Sequence, residues 1–319
     1  MANEGFTLRA YCGASDLPGM TAAANRQVDR DGDGEYLTVA GMAAQYEHLQ
    51  RCDPDRDIVV ADDPDGAVVG YARTMWEDLA EGFRQYWLVV NVDPSIPGLE
   101  IGLLDWVERR ALEVAAGHEA DDRRLGTEAD DGGERQALLM ERGFAPRMFY
   151  AAMVRPDLAD IPDAALPEGL EIRAVEPLHL RQIWEADIEA FRDHNDYVEQ
   201  TEKDWERFRA DAKVDTTLWQ VAWSGDIVVG QVRTRFNAEE SERSGRRRGW
   251  TEDISTRREW RKQGVASALI AASLRQLRSL GFDEAALGVD TDNPNRALRV
   301  YESLGFEIVH RGALYERPV

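Results

Sequence analysis

Cysteine is nearly missing from this chain: Cys12 and Cys52 are the only two in 319 residues. So few thiols build neither a disulfide framework nor a thiolate metal site. His48, His118, His179, His194 and His310 show no metal-ligand spacing, so no metal is expected. Cations are also scarce, with 38 Lys and Arg against 60 Asp and Glu and a net charge of −22. Binding a polyanion needs clustered cations to neutralise phosphates, which argues against a nucleic-acid partner. The same shortage argues against docking on an anionic membrane surface. No apolar run approaches the roughly 18 residues of a membrane span, and the start MANEGFTLRA lacks a basic-then-apolar leader pattern. The reading is a cytoplasmic globular protein.

The chain is about twice the length of a typical domain, so two domains are expected. It also repeats itself. VVGYART at 68–74 returns as VVGQVRT at 228–234, TLRA at 7–10 as EIRA at 171–174, and ERGF at 141–144 as SLGF at 303–306. Three matches in one order at nearly one offset mark a duplication. The proline-rich stretch RPDLADIPDAALPEG at 155–169 reads as the linker. The expected domains are therefore 1–157 and 168–319. Residues 1–160 carry 31 acids and 15 bases, and residues 161–319 carry 29 and 23, so the second half is the better place for an anionic ligand.

Each half follows one grammar. A first strand (FTLRAY, LEIRAV) precedes helical segments, and a hairpin follows, DIVVADD-PDG-AVVGYART in one half and TLWQVAW-SGD-IVVGQVRTRF in the other. A strand, a long helix, a strand, a short helix and a final strand complete the half. This order predicts an α/β protein on mixed sheets.

The chemistry concentrates at residues 250–306. In TEDISTRREWRKQGVASALI, residues 251–270, a strand ends in cations and a glycine and turns at once into an apolar helix. Four unpaired amides and a favourable dipole meet any anion at such a helix start. Gly264 and Ala266 present almost no side chain, so a phosphate can approach closely, and Arg261 and Lys262 are expected to add mobile charge. In DNPNRALRVYESLGF, residues 292–306, Asn293 caps a helix with Pro294 at its first position. The spacing of Ala297, Val300, Tyr301 and Leu304 puts Tyr301 on the inward face.

These motifs, R-x-x-G-x-A after a strand and N-x-x-x-A-x-x-x-Y-x-x-x-G-F about thirty residues later, resemble the GNAT superfamily of acyl-CoA-dependent N-acyltransferases. The duplicated arrangement resembles tandem GNAT proteins, including mycothiol synthases. The resemblance implies two tandem GNAT-like domains, each a mixed, mostly antiparallel sheet with helices on both faces. It implies acetyl-CoA in a splay between the strands at 250–256 and 284–290. The pantetheine arm would pair with Ile254, Ser255 and Thr256, and the pyrophosphate would rest on Lys262, Gln263, Gly264, Val265, Ala266 and Ser267 beside Arg261. Asn293, Asn295, Ala297 and Leu298 complete the expected cofactor set.

Acyl transfer to an amine needs a neutral nucleophile, a stabilised oxyanion and a proton for the leaving thiolate. Tyr301 matches the family's general acid. Strand alternation puts Glu252, Ile254 and Thr256 on one face, which makes Glu252 the candidate base, with Asp253 second. Phe191, His194, Asn195, Tyr197 and Asp290 are the candidate acceptor contacts. The expected acceptor is a small-molecule primary amine, and the expected state is a monomer, with a homodimer as the alternative. A mycothiol-synthase-like role and a non-catalytic CoA sensor are the competing readings.

The first half departs from the pattern. Aligning its GF at 143–144 with that at 305–306 puts Leu139 where Tyr301 stands. Pro97 and Glu100 fall where Arg261 and Gly264 stand, so this half is expected to keep the fold and lose the cofactor site. The acidic loop DRDGDGEYLTVA at 29–40 imitates a calcium loop but carries Ala40 where the bidentate Glu belongs.

Overall fold

The computed structural model describes residues 5–31, 36–192, 197–211, 215–291 and 297–319. The chain forms two compact units, Met1–Arg147 with Gly312–Val319, and Met148–Arg311.

The first half of the chain runs β1 (Thr7–Ala10), α1 (Leu17–Asp31), α2 (Val39–Glu47), α3 (Pro54–Asp57), β2 (Ile58–Asp62), β3 (Val68–Asp78), β4 (Arg84–Val92), α4 (Leu99–Ala116), β5 (Arg123–Asp130), α5 (Glu134–Glu141) and β6 (Ala145–Arg155). Strands β1 to β4 pair antiparallel in order and β4 pairs parallel with β5. Side chains alternate across the sheet. Val59, Ala61 and Ala72 pack beneath Leu99, Leu103 and Val107 of α4, while Val60 and Tyr71 face Met20 and Ala24 of α1.

The second half repeats the plan with β7 (Glu171–Arg173), α6 (Leu180–Phe191), α7 (Glu202–Asp211), β8 (Gln220–Ser224), β9 (Ile227–Phe236), α8 (Ala238–Ser244), β10 (Arg248–Thr256), α9 (Val265–Ser279), β11 (Glu284–Asp290), α10 (Ala297–Ser303) and β12 (Glu307–Pro318). Its strands β7 to β10 are antiparallel and β10 pairs parallel with β11. Ala222 and Val229 pack against Leu269 and Leu274 of α9. Val221, Trp223 and Val228 pack against Ile183 and Trp184 of α6. The mixed α/β sheets are those the sequence grammar predicts, and helices on both faces are what the GNAT resemblance implies. Helix α8 was not predicted; Asn237 caps it by accepting from the Glu240 amide. Among the described residues, no helix is long and apolar enough to cross a membrane.

The division at 157/168 follows the sequence repeat, whereas the compact units follow sheet pairing. The last strand of each half lies in the sheet of the other unit. Tyr150–Arg155 of β6 pairs antiparallel with Ala285–Asp290 of β11. Gly312–Pro318 of β12 pairs antiparallel with Arg124–Asp130 of β5.

Deleting residues 312–319 should therefore unfold the first unit. It removes Ala313, Leu314 and Tyr315, none more than 1% exposed, and emptying a core of large side chains costs about 2–5 kcal/mol each. Urea unfolding of the truncated chain checks this, and a wild-type midpoint would contradict the assigned pairing.

Candidate active site

The site begins where β10 leaves β11. Their parallel ladder runs from Arg248–Glu284 to Trp250–Ala286, and the Thr251 hydroxyl donates to the Ala286 carbonyl at 2.9 Å. On its other edge, β10 loses register with β9 between Glu252 and Ser255. Asp253 sits there at φ +46°. An extra residue of this kind is a β-bulge, which bends its strand and sharpens the local twist. A cavity of about 550 Å³ opens at this point, lined by residues 251–256 of β10 and by Gly288, Val289 and Asp290 of β11.

One wall is the start of α9. Gly264 is its N-cap at φ +87°, with no side-chain cap. That left-handed backbone is what calls for glycine here, and a Cβ added at Gly264 would meet nothing within 4 Å. The first-turn amides of a helix have no intrahelical acceptor, and Val265, Ala266 and Ser267 all line the cavity. An anion is the natural partner for them. Arg261 is not the mobile cation the sequence led us to expect. Its Nε donates to the Thr256 carbonyl at 3.1 Å and its Nη2 to the Ala190 carbonyl at 2.7 Å. It braces the end of β10 against α6, and Lys262, exposed at φ +61°, carries the looser charge.

Tyr301 of α10 stands on the inward face, 7% exposed, edge-on to Phe306 with ring centres 6.3 Å apart. It lines the cavity beside Ala297 and Val300. Burial pushes its phenol up to about 12, so it stays a proton donor across the physiological range.

The bulge overturns the alternation assumed for β10. Glu252 pairs with Arg233 and Ser255 with Gln231, while Thr256 pairs with Gly230. Directly opposed residues share a face, and the Gln231 amide reaches the Ile183 carbonyl of α6 at 3.2 Å. Glu252 and Ser255 therefore face α6, and Thr256 faces the other way. Glu252 is ion-paired with Arg235. Asp253 meets Arg233 at 3.1 Å, and the same guanidinium meets Asp187 at 2.9 Å.

Of the remaining sequence candidates, Phe191 and Asp290 line the cavity, whereas Gln263, Tyr197 and Leu298 do not. The Gln263 amide instead donates to the Glu259 carbonyl at 2.9 Å. His194, Asn195, Asn293 and Asn295, with the proposed cap at Asn293, lie outside the described residues. Ala190, Thr251, Trp260, Gly288, Val289 and Val300 line the site without having been singled out. Asp187 was also missed. Its signal is a carboxylate on the inward stripe of a helix whose buried neighbours are Ile183, Ala186 and Ala190. Among the described residues, no cluster of three His, Cys, Asp or Glu is suited to a metal.

In the first unit the corresponding helix, α4, also starts at a left-handed glycine, Gly98 at φ +74°. This shifts the sequence alignment: Gly98, not Glu100, answers Gly264. Glu100 falls instead in the first turn, ion-paired with Arg135, and Leu139 is fully buried in the core.

The sequence profile of the acetyltransferase (GNAT) family matches residues 180–306. The chain is 32% identical over 166 residues to the mycothiol acetyltransferase of Thermobispora bispora, an alignment covering 52% of this chain and 56% of that protein. It is 30% identical over 267 residues to the mycothiol acetyltransferase of Frankia alni, covering 81% of this chain and 76% of that one. The fold matches the crystal structure of a GCN5-related N-acetyltransferase from Sphaerobacter thermophilus with a TM-score of 0.73 at 23% identity, over 98% of this chain and 95% of the other.

Proposed function

Since the chain belongs to the acetyltransferase (GNAT) family, we propose that its second unit moves an acetyl group from acetyl-CoA directly to a primary amine of a small molecule. The observation that carries this reading is a single cavity holding an uncapped helix start, a splayed strand pair and the buried phenol of Tyr301. The open space over Gly264 fits a pyrophosphate on the amides of Val265, Ala266 and Ser267. The free edge of β10 at Ile254–Thr256 fits the pantetheine arm as an added strand.

In this mechanism the amine nitrogen attacks the thioester carbon. A backbone amide at the β10 bulge holds the oxyanion, and Tyr301 gives its proton to the departing thiolate. Glu252 and Asp253, which line the cavity and are ion-paired with Arg235 and Arg233, attract the ammonium form of the acceptor. The first unit, with Glu100 in its helix start and Leu139 in place of Tyr301, serves as structure and holds no second acetyl-CoA. The enzyme acts as a cytoplasmic monomer without a metal.

A narrower reading follows from the relatives, which carry the name mycothiol acetyltransferase: the acceptor is then the amine of a sugar-linked cysteine. Following CoA release over a panel of amines tests both readings. Turnover is expected with cationic or neutral primary amines and not with anionic ones. Tight acetyl-CoA binding without turnover on any amine would make the protein a sensor.

A further inference from the structure

Direct transfer, on which this inference rests, needs a destination for the proton that the amine loses. Glu252 and Asp253 line the cavity, ion-paired with Arg235 and Arg233. A third carboxylate lies behind them. Asp187 stands on the inward stripe of α6 with 16% of its side chain exposed. It accepts from Gln231 Nε2 at 3.0 Å and from Arg233 Nη2 at 2.9 Å, and the same Gln231 Nε2 reaches Ser255 Oγ at 3.3 Å, which sets that hydroxyl beside the carboxylate. Ser255 in turn lines the cavity. The bulge makes this arrangement possible: regular alternation from Glu252 would turn Ser255 toward α9, and the extra residue at Asp253 turns it toward α6. The positive φ of Asp253 thus has a use, because it brings one hydroxyl between the cavity and a buried carboxylate.

We propose that Asp187, acting through the hydroxyl of Ser255, receives the proton released by the acceptor amine. As the N–C bond forms, the N–H proton passes to Ser255 Oγ while the Ser255 hydroxyl proton passes to an Asp187 oxygen. The C–S bond breaks and the thiolate takes the Tyr301 proton. The proton on Asp187 then returns to the tyrosinate through solvent, so the net transfer is from amine to thiol.

Among the described residues, the charged groups facing Asp187 are Arg233 of β9 and Asp253 of β10. On its own helix, Glu185 is turned to Arg181 and Glu189 to Arg257. From α7, Phe208 packs against Arg233, and His179, before α6, accepts from the Glu176 amide. Burial, reinforced by Asp253 and opposed by Arg233, lifts the Asp187 carboxyl to about 6. Such a group is ionised at neutral pH yet still accepts a proton readily.

The test is the pH profile of kcat/KM for the wild type, Asp187→Asn, Ser255→Ala, Ser255→Thr and Glu252→Gln with an accepted amine. The wild type should show an acid limb near pH 6. Asp187→Asn should abolish that limb and lower kcat on the order of 100-fold with little change in the amine KM. Ser255→Ala should do the same, and Ser255→Thr should restore most of the rate.

Thermal unfolding reads the titration without turnover. Asp187 binds its proton more tightly folded than unfolded, so its contribution to stability is present below 3.8 and lost as pH rises through about 6. The wild-type Tm should fall relative to Asp187→Asn across that window. If Asp187→Asn does not fold, Ser255→Ala decides, since it keeps the Asp187–Arg233 pair. An unchanged acid limb in Asp187→Asn or Ser255→Ala, or a limb lost only in Glu252→Gln, overturns the proposal while leaving acetyl transfer standing. A wild type that binds acetyl-CoA and turns over no amine overturns the reaction and the proposal together.

Discussion

Gly264→Glu should lower acetyl-CoA affinity by at least about 100-fold, or roughly 2.7 kcal/mol, while the chain remains folded. Two separable effects act at this position. The left-handed backbone at φ +87° costs any L side chain about 1–2 kcal/mol, and the variant pays that in stability. Sterically the fold has room, because a Cβ here meets nothing within 4 Å. The larger effect falls on the ligand: a carboxylate enters the space above three amides otherwise open to a pyrophosphate and reverses the sign of the local field. Gly264→Ala separates the two, since it shares the strain without the charge and should retain most binding. Calorimetry should find one acetyl-CoA per wild-type chain and none for Gly264→Glu. Two equivalent wild-type sites would overturn the assignment of Glu100 and Leu139 as the features that close the first unit to cofactor.

Tyr301→Phe should lower kcat by about 10²–10⁴-fold, the usual worth of one positioned acid, with acetyl-CoA binding nearly unchanged. The ring stays to pack against Phe306, so folding should not suffer. The pH dependence carries the diagnosis. With the phenol lifted to about 12 by burial, the wild-type rate should show no descending limb from this group until well above pH 10. Stability has its own signature. Tyr301 is more acidic unfolded than folded, so its contribution is intact below pH 10 and is lost as pH rises through about 12. The phenylalanine variant should lack that alkaline loss. A descending limb near neutrality that disappears with Tyr301→Phe would overturn the raised phenol, and an ascending limb lost in that variant would mean that the tyrosine acts in turnover as a base.

Much of this molecule is legible before any coordinates. Periodic apolar positions locate α9 and put Tyr301 inward because a helix repeats its faces by a fixed geometry. The repeat at a nearly constant offset exposes the two-unit plan. What fails is whatever depends on an interruption of regularity. Asp253 takes a backbone conformation that nothing in TEDIST announces, and one inserted residue moves Ser255 to the other face of β10. Arg261 reads as a free cation because its acceptors, the carbonyls of Thr256 and Ala190, are main-chain groups, one of them some seventy residues away. Gly98 escaped the alignment because the two halves differ in length between their matching motifs, so a constant offset places Glu100 opposite Gly264. Strand exchange is invisible for a related reason: β6 and β12 have the same pattern whichever sheet receives them.

That exchange has a historical consequence. A single-copy forerunner folding by this pairing would leave its last strand without a home and its sheet one strand short. Only a second identical chain could make good both deficits, so the forerunner is complete only as a dimer with two equal active sites. Joining two copies head to tail makes the partner permanent and frees one site from having to work. If the first unit holds no cofactor, as proposed, Glu100 and Leu139 are changes that such a freed site can accumulate, while β6 cannot be lost because the sheet of the second unit contains it.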